Sequence, residues 1–241
     1  MAFTDIHSHL VPGVDDGARD EEMSRALLRQ AVAEGIRTMI VTPHNYPGRS
    51  EGSIPLVKER FRQLCLLAQE EAPEIILHLG NEVYYRDSIA EDLREERALS
   101  LAGTDYVLTE FHPGAPRQAV HAGVRRLTES GYRPVIAHVE RIGSLDRDEG
   151  ALRELIDMGA FLQVNTRTLT GGFFDRRSAW WRRMAAAGHI HFLGSDAHHP
   201  QQRPVVMRDA VKALEKHMTP EALARLTEGN TLDLLANRWI R

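Results

Sequence analysis

A chain of 241 residues, 42% of them hydrophobic, is long enough to bury a substantial core. Its formal net charge of −4, without a basic tail or arm, excludes the electrostatic footprint of a nucleic-acid-binding module. A single cysteine, Cys65, excludes an internal disulfide, and the lack of a long apolar run or a signal pattern leads us to expect a cytoplasmic protein without membrane insertion.

In chain order, short apolar runs alternate with longer amphipathic stretches. Residues 3–7 predict a strand and 21–34 a helix, with Met23, Leu27, Leu28, Ala31 and Val32 at helical spacing before Gly35. The β-rich run 36–41 ends in Thr42-Pro43-His44. Residues 54–71 predict a helix, and 75–79 a strand ending in Gly80-Asn81-Glu82. A short helix over 88–95 precedes a strand at 106–109 that ends in Glu110. A helix over 117–130 leads to a strand at 134–137 that ends in His138, and a helix over 149–158 to a strand at 161–164 that ends in Asn165. A helix over 176–187 is followed by a strand at 190–194 running into Ser195-Asp196-Ala197-His198, and helices over 205–217, 220–228 and 231–238 close the chain. Seven strands alternating with helices predict parallel βαβ units, and no linker-like tract divides residues 1–241, so one domain is expected.

The polar residues are not scattered. His7 and His9 sit two apart at the first strand end, where both point to one side and grip one ion. In α/β barrels the site lies at the C-terminal ends of the strands. Six of the seven predicted strand ends carry a metal-capable side chain: His7/His9, His44, Glu82, Glu110, His138 and Asp196/His198, with Asp16 hung from the Val14-Asp15-Asp16-Gly17 loop. Individually, His44 could cap a loop and Asp196 a helix, but all six together point to a metal site. Mixed histidine and carboxylate ligands suit manganese, iron, zinc or magnesium, and the absence of thiolates disfavours a soft metal. His189-x-His191 begins its strand and is assigned to the opposite end. His78, His121 and His217 are assigned to packing or surface, whereas His112 and His199 adjoin ligand positions and are candidates for orienting them.

The segments D-I-H-S-H-L with V-D-D-G, T-P-H, G-N-E-V-Y-Y, E-F, P-V-I-A-H-V-E-R, V-N and G-S-D-A-H with R-P run through nearly the whole chain. In them the chain resembles the polymerase-and-histidinol-phosphatase (PHP) superfamily, and within it the manganese-dependent bacterial protein-tyrosine phosphatases of capsule and exopolysaccharide loci. The resemblance implies a distorted seven-stranded (β/α)7 barrel holding three divalent ions, manganese by family habit. It would place one ion on His7, His9, Glu82 and Asp196, a second on Glu82, Glu110 and His138, and a third on Asp16, His44 and His198. Arg141 and Arg203 match positions where the family uses arginine for substrate. The implied partner is a tyrosine-phosphorylated protein, in particular the C-terminal tail of a bacterial tyrosine kinase governing polysaccharide export.

Three divalent ions would outweigh the four carboxylates Asp16, Glu82, Glu110 and Asp196 by two charges, which matches a phosphate monoester dianion. Tyrosine leaves comparatively easily, with a pKa of ~10. A cysteine phosphatase needs an arginine six residues after the cysteine, and Glu71 stands six after Cys65, a thiol expected to be buried in an apolar helix. Within the superfamily the alternative is a histidinol-phosphate phosphatase; outside that activity stand a phosphodiesterase or a non-catalytic metal scaffold. Trp180 and Trp181 point about 100° apart on a helix, so one of them could cover the site rim, a partner or another subunit. The rim around Tyr46, His112, Phe173 and Trp180 is where a substrate tail would lie, with little dependence on flanking sequence. The oligomeric state stays open.

Overall fold

The structure, a computed structural model, describes residues 2–46, 53–172 and 174–240. Its strands are β1 (Phe3–Asp5), β2 (Ile36–Val41), β3 (His44–Asn45), β4 (Ile76–Leu79), β5 (Glu82–Tyr84), β6 (Tyr106–Glu110), β7 (Arg133–Ile136), β8 (Phe161–Asn165) and β9 (Phe192–Gly194). The helices are α1 (Glu21–Ala33), α2 (Ile54–Glu71), α3 (Ile89–Arg94), α4 (Arg117–Glu129), α5 (Glu149–Asp157), α6 (Thr166–Leu169), α7 (Arg176–Ala186), α8 (Arg208–Glu215), α9 (Pro220–Ala224) and α10 (Asn230–Leu235).

Local chemistry sets the boundaries. Asp20 accepts the Met23 N–H at 2.9 Å and caps α1, and Asp148 accepts the Ala151 N–H at 3.0 Å to cap α5. Gly35, at φ 81, turns the chain out of α1 in a left-handed conformation that costs glycine little, and β2 begins at the next residue. The expected helix at 205–217 begins only at Arg208, and the single turn of α6 was not expected.

Every strand pairing is parallel, in the orders β1-β2-β4 and β3-β5-β6-β7-β8-β9. There are nine strand segments among the described residues where seven were expected, because two runs are interrupted. Pro43 has no N–H to give between β2 and β3. Asn81, between β4 and β5, bridges the gap: its Nδ2 donates to Pro43 O at 2.8 Å and its Oδ1 accepts the Leu99 N–H at 2.9 Å. At the other side the sheet curls back, with Ile6 N–H on Leu193 O at 3.3 Å and Asp196 N–H on His7 O at 2.8 Å.

Side-chain alternation then divides the interior. Tyr106, Phe161 and Phe192, at the starts of β6, β8 and β9, pack with Leu234 and Ile240 from the C-terminal segment and plug one end. Tyr106 Oη fixes that segment by donating to Arg238 O at 2.6 Å. The outward residues, among them Met39, Val41, Ile136, Leu162 and Val164, pack in the larger cluster with the helices. The strands' C-terminal end is left to the polar residues. No helix among the described residues is long and apolar enough to cross a membrane.

Candidate metal centre

β1 stops at Asp5, whose Oδ1 accepts the backbone N–H groups of His7 at 3.1 Å and Ser195 at 2.9 Å, fastening the first strand end to the last. Two glycines stand directly behind the first histidines. A Cβ at Gly194 would lie 2.6 Å from His7 Cβ, and one at Gly17 would lie 2.3 Å from His9 O. His138 and Asp196 both have left-handed backbones, at φ 30 and 53. Such conformations cost on the order of 1–3 kcal/mol in residues other than glycine and gather at functional sites.

All nine predicted ligands meet here. His7 Nε2 and His9 Nε2 are 3.2 Å apart. Glu82 Oε2 lies 3.2 Å from His7 Nε2, 3.4 Å from His9 Nε2 and 2.9 Å from His44 Nδ1. Asp196 Oδ1 is 3.6 and 3.5 Å from the same atoms of His7 and His9. His138 Nε2 lies 2.7 Å from Glu82 Oε1 and 3.8 Å from Glu110 Oε1. Asp16 Oδ1 lies 3.4 Å from His44 Nε2 and 3.5 Å from His198 Nε2. The tightest groupings of donor atoms, within 4.8 Å of one another, are His9/Asp16/His44/His198, His7/His9/Glu82 and His44/Glu82/Glu110. They differ in detail from the implied sets: His9 also joins the Asp16 group and His44 the Glu110 group, while His138 and Asp196 stand just outside.

The donor set fits divalent cations. Ligand atoms bound at about 2.0–2.2 Å to one ion sit roughly 3 Å from each other, the spacing found around Glu82 Oε2. That oxygen, His44 Nδ1 and His198 Nε2 are buried without a hydrogen-bond partner, and a buried polar atom left so is costly unless something else satisfies it. The electrostatics agree. Burial alone would strip the proton from His7, but Glu82 and Asp196 carry its pKa up to about 9. For His44, burial is likewise outweighed by Asp16 and Glu82, which take it up to about 11. Burial would raise Glu82, yet His7 and His138 hold it well below the usual carboxylate range. Carboxylates that keep protons on buried imidazoles make a strong cation trap, and a metal ion competes for those same nitrogens.

The groups that hold the predicted ligands in place are ones to which the sequence assigns no such role. Asp15 Oδ2 lies 2.7 Å from His9 Nδ1. Gln163 Oε1 lies 3.0 Å from His7 Nδ1 and accepts the His138 N–H at 2.7 Å. Tyr46 Oη donates to Glu110 Oε2 at 2.9 Å, and Asn165 Nδ2 to Asp196 Oδ2 at 2.8 Å. The two candidates for that role are engaged elsewhere: His112 Nδ1 accepts the Gly114 N–H, and His199 Nδ1 those of Gln201 and Gln202, each in its own turn. His191 lies at the strand start as expected, its Nδ1 accepting the Leu162 N–H at 3.1 Å. Trp181 is fully buried and Trp180 packs half-buried against the same core. Phe173 lies outside the described residues. Cys65 is half-buried where full burial was expected, because α2 leaves that face beside a shallow cavity; burial still pushes its thiol pKa up.

Arg141 and Arg203 arrive from opposite sides of the sheet end, the first from the turn after His138, the second from the loop after His198. Each places Nη2 on Asp196 Oδ2, at 2.6 and 2.7 Å. They line a cavity of about 270 Å³ that opens beside Asp196.

The profile of the family "Capsular polysaccharide synthesis, CpsB/CapC" matches residues 3–236. Tyrosine-protein phosphatase YwqE of Bacillus subtilis (strain 168) is 37% identical over 238 residues, spanning 98% of this chain and 92% of that one. Tyrosine-protein phosphatase CpsB of Streptococcus pneumoniae is 31% identical over 241 residues, spanning 98% and 99%. A solved structure described as YwqE from Bacillus subtilis and CpsB from Streptococcus pneumoniae, "unique metal-dependent tyrosine phosphatases", matches with a TM-score of 0.89 at 36% identity, over 99% of this chain and 96% of that one. A phosphotriesterase homology protein from Escherichia coli, at 12% identity and a TM-score of 0.63 over 97% and 98%, shares the fold alone.

Proposed function

The chain belongs to the capsular polysaccharide synthesis CpsB/CapC family, and from that premise we propose that it is a metal-dependent phosphatase hydrolysing phosphotyrosine in proteins. The observation that carries the reading is Glu82 Oε2, ringed by nitrogens of His7, His9 and His44 at 2.9–3.4 Å, with two arginines converging on Asp196 beside the same histidines. In this reading the nine segments act as seven strands of one closed barrel domain, β2 running on into β3 and β4 into β5. Three divalent ions, manganese by preference, are held by His7, His9, Glu82 and Asp196, by Glu82, Glu110 and His138, and by Asp16, His44 and His198. Bound there, they supply Lewis-acid charge stabilisation and lower the pKa of the attacking water.

The remaining tasks fall to the chain's own groups. Asp196 Oδ2 now holds both arginines, at 2.6 and 2.7 Å. With a cation sharing the charge of Asp196, Arg141 and Arg203 would be free to turn their planar forks onto phosphate oxygens. A phenolate with a pKa of ~10 leaves without a strong acid, so no proton donor is assigned. Tyr46, held by Glu110 and 4.7 Å from the His44 ring, provides an aromatic wall at the mouth. The substrate of this reading is a cytoplasmic tyrosine-phosphorylated protein, best a flexible kinase tail that enters the mouth without unfolding.

Parallel assays on a phosphotyrosine peptide, a phosphoserine peptide, histidinol phosphate and a phosphodiester test the reading. Phosphotyrosine is expected to be turned over fastest. Faster turnover of histidinol phosphate, or equal rates on phosphoserine, would remove the tyrosine assignment and leave the metal centre standing.

A further inference from the structure

The cavity beside Asp196 holds a third guanidinium. Arg167, on the single turn of α6, lines it together with Arg141 and Arg203. Its position is fixed from two directions. Two residues before it, Asn165 is tied to Asp196 Oδ2 at 2.8 Å, and its own Nη1 donates to Gln202 O at 3.0 Å, which holds the guanidinium beside the Arg203 loop. Among the described residues no carboxylate pairs with it within 4.0 Å.

We infer that Arg167 selects substrates that carry a second anionic group next to the phosphotyrosine, an inference that rests on the phosphatase reading above. Arg141 and Arg203 share one partner, Asp196, and together suffice for one phosphate. Among the described residues Arg167 is bonded only to a backbone carbonyl and no carboxylate neutralises it, and it lines the same cavity as the other two. A peptide seated with its phosphate on the first two arginines brings a neighbouring side chain to the third. A carboxylate or a second phosphate there completes an ion pair; an apolar neighbour leaves the guanidinium to solvent. The expectation of little dependence on flanking sequence narrows accordingly.

The test uses three phosphotyrosine peptides, with the neighbouring residues alanine, glutamate or a second phosphotyrosine, on the wild-type holoenzyme and on Arg167→Ala and Arg167→Lys. For the wild type, kcat/KM for an acidic peptide should exceed that for the alanine peptide by roughly two- to fivefold, the range of a partly exposed ion pair. The preference should lie in KM, shrink as salt is added, fall toward unity in Arg167→Ala and persist in Arg167→Lys. Preference for glutamate and for phosphotyrosine alike, or for one of them, identifies the anion. An equal ratio in wild type and Arg167→Ala overturns the inference. So does loss of the ratio in Arg167→Lys as complete as in Arg167→Ala, since the retained positive charge would then count for nothing. Failure to hydrolyse any of the three peptides sinks the phosphatase reading itself, a result distinct from a flat ratio.

Discussion

Asp15 Oδ2 lies 2.7 Å from Nδ1 of His9, which turns the other ring nitrogen of His9 toward His7, 3.2 Å away. The same carboxylate accepts the N–H groups of Gly17 at 2.9 Å and His44 at 3.0 Å, so it is fully engaged. Burial would raise its pKa, but the neighbouring His9 lowers it below the usual value, and it stays ionised. A carboxylate behind a ligating imidazole fixes the tautomer and makes the nitrogen more basic. Asp15→Asn should therefore bind metal roughly 10- to 100-fold more weakly, measured by titrating the stripped protein with manganese. Affinity equal to wild type would return Asp15 to a loop-holding role.

Gly194 has no room for a methyl group: its Cβ would lie 2.6 Å from His7 Cβ and 2.8 Å from Gln163 Nε2. Gly194→Ala must push both away from their positions. It should lose about 1–3 kcal/mol of stability, the usual cost of overpacking, and hold less metal than wild type. Thermal unfolding with metal analysis checks this. A variant with wild-type melting and a full complement of metal would show that the strand end yields more easily than its contacts imply.

His191 supplies a pH dependence away from the site. Burial, helped by His189, lowers its pKa from 6.5 to about 4. Its Nδ1 accepts the Leu162 N–H, which only the neutral ring does. The unfolded chain thus takes up this proton first as the pH falls. The stabilisation from His191 is complete above pH 6.5 and drains as the pH drops toward about 4, amounting to on the order of 3 kcal/mol. Denaturant unfolding at pH 7 and pH 4.5 should show His191→Gln losing less stability on acidification than the wild type. Parallel losses would place the acid sensitivity elsewhere.

Much of the site was legible because metal chemistry restricts residue type. Few side chains ligate a hard divalent ion, and strands that end in them one after another leave little else to propose. The supporting groups were harder. Asp15 and Asp16 are adjacent in a loop, and nothing in their spacing says which joins the cluster of donor atoms and which backs His9. Gln163 did carry a signal: it shares the inward parity of Phe161 on a fully buried strand, where an uncharged polar side chain needs partners. His112 and His199 were misleading, because closeness to a ligand in sequence says nothing about direction when the chain turns immediately afterwards. The strand breaks at Thr42-Pro43 and Gly80-Asn81 follow from the missing proline donor and from Asn81's side-chain bridging, the first visible in sequence and the second only in space. One turn of α6 is too short for periodicity to announce it.

Dependence of hydrolysis on ions held by the histidines and carboxylates at the strand ends underlies the proposed function. It is tested most directly by the initial rate of phosphate release from a phosphotyrosine peptide, using protein stripped by exhaustive chelation and then titrated with manganese. The stripped protein should be inactive and activity should return with added metal, whereas His7→Ala and Asp196→Ala should recover little of it. Undiminished hydrolysis by the thoroughly stripped protein would contradict the account.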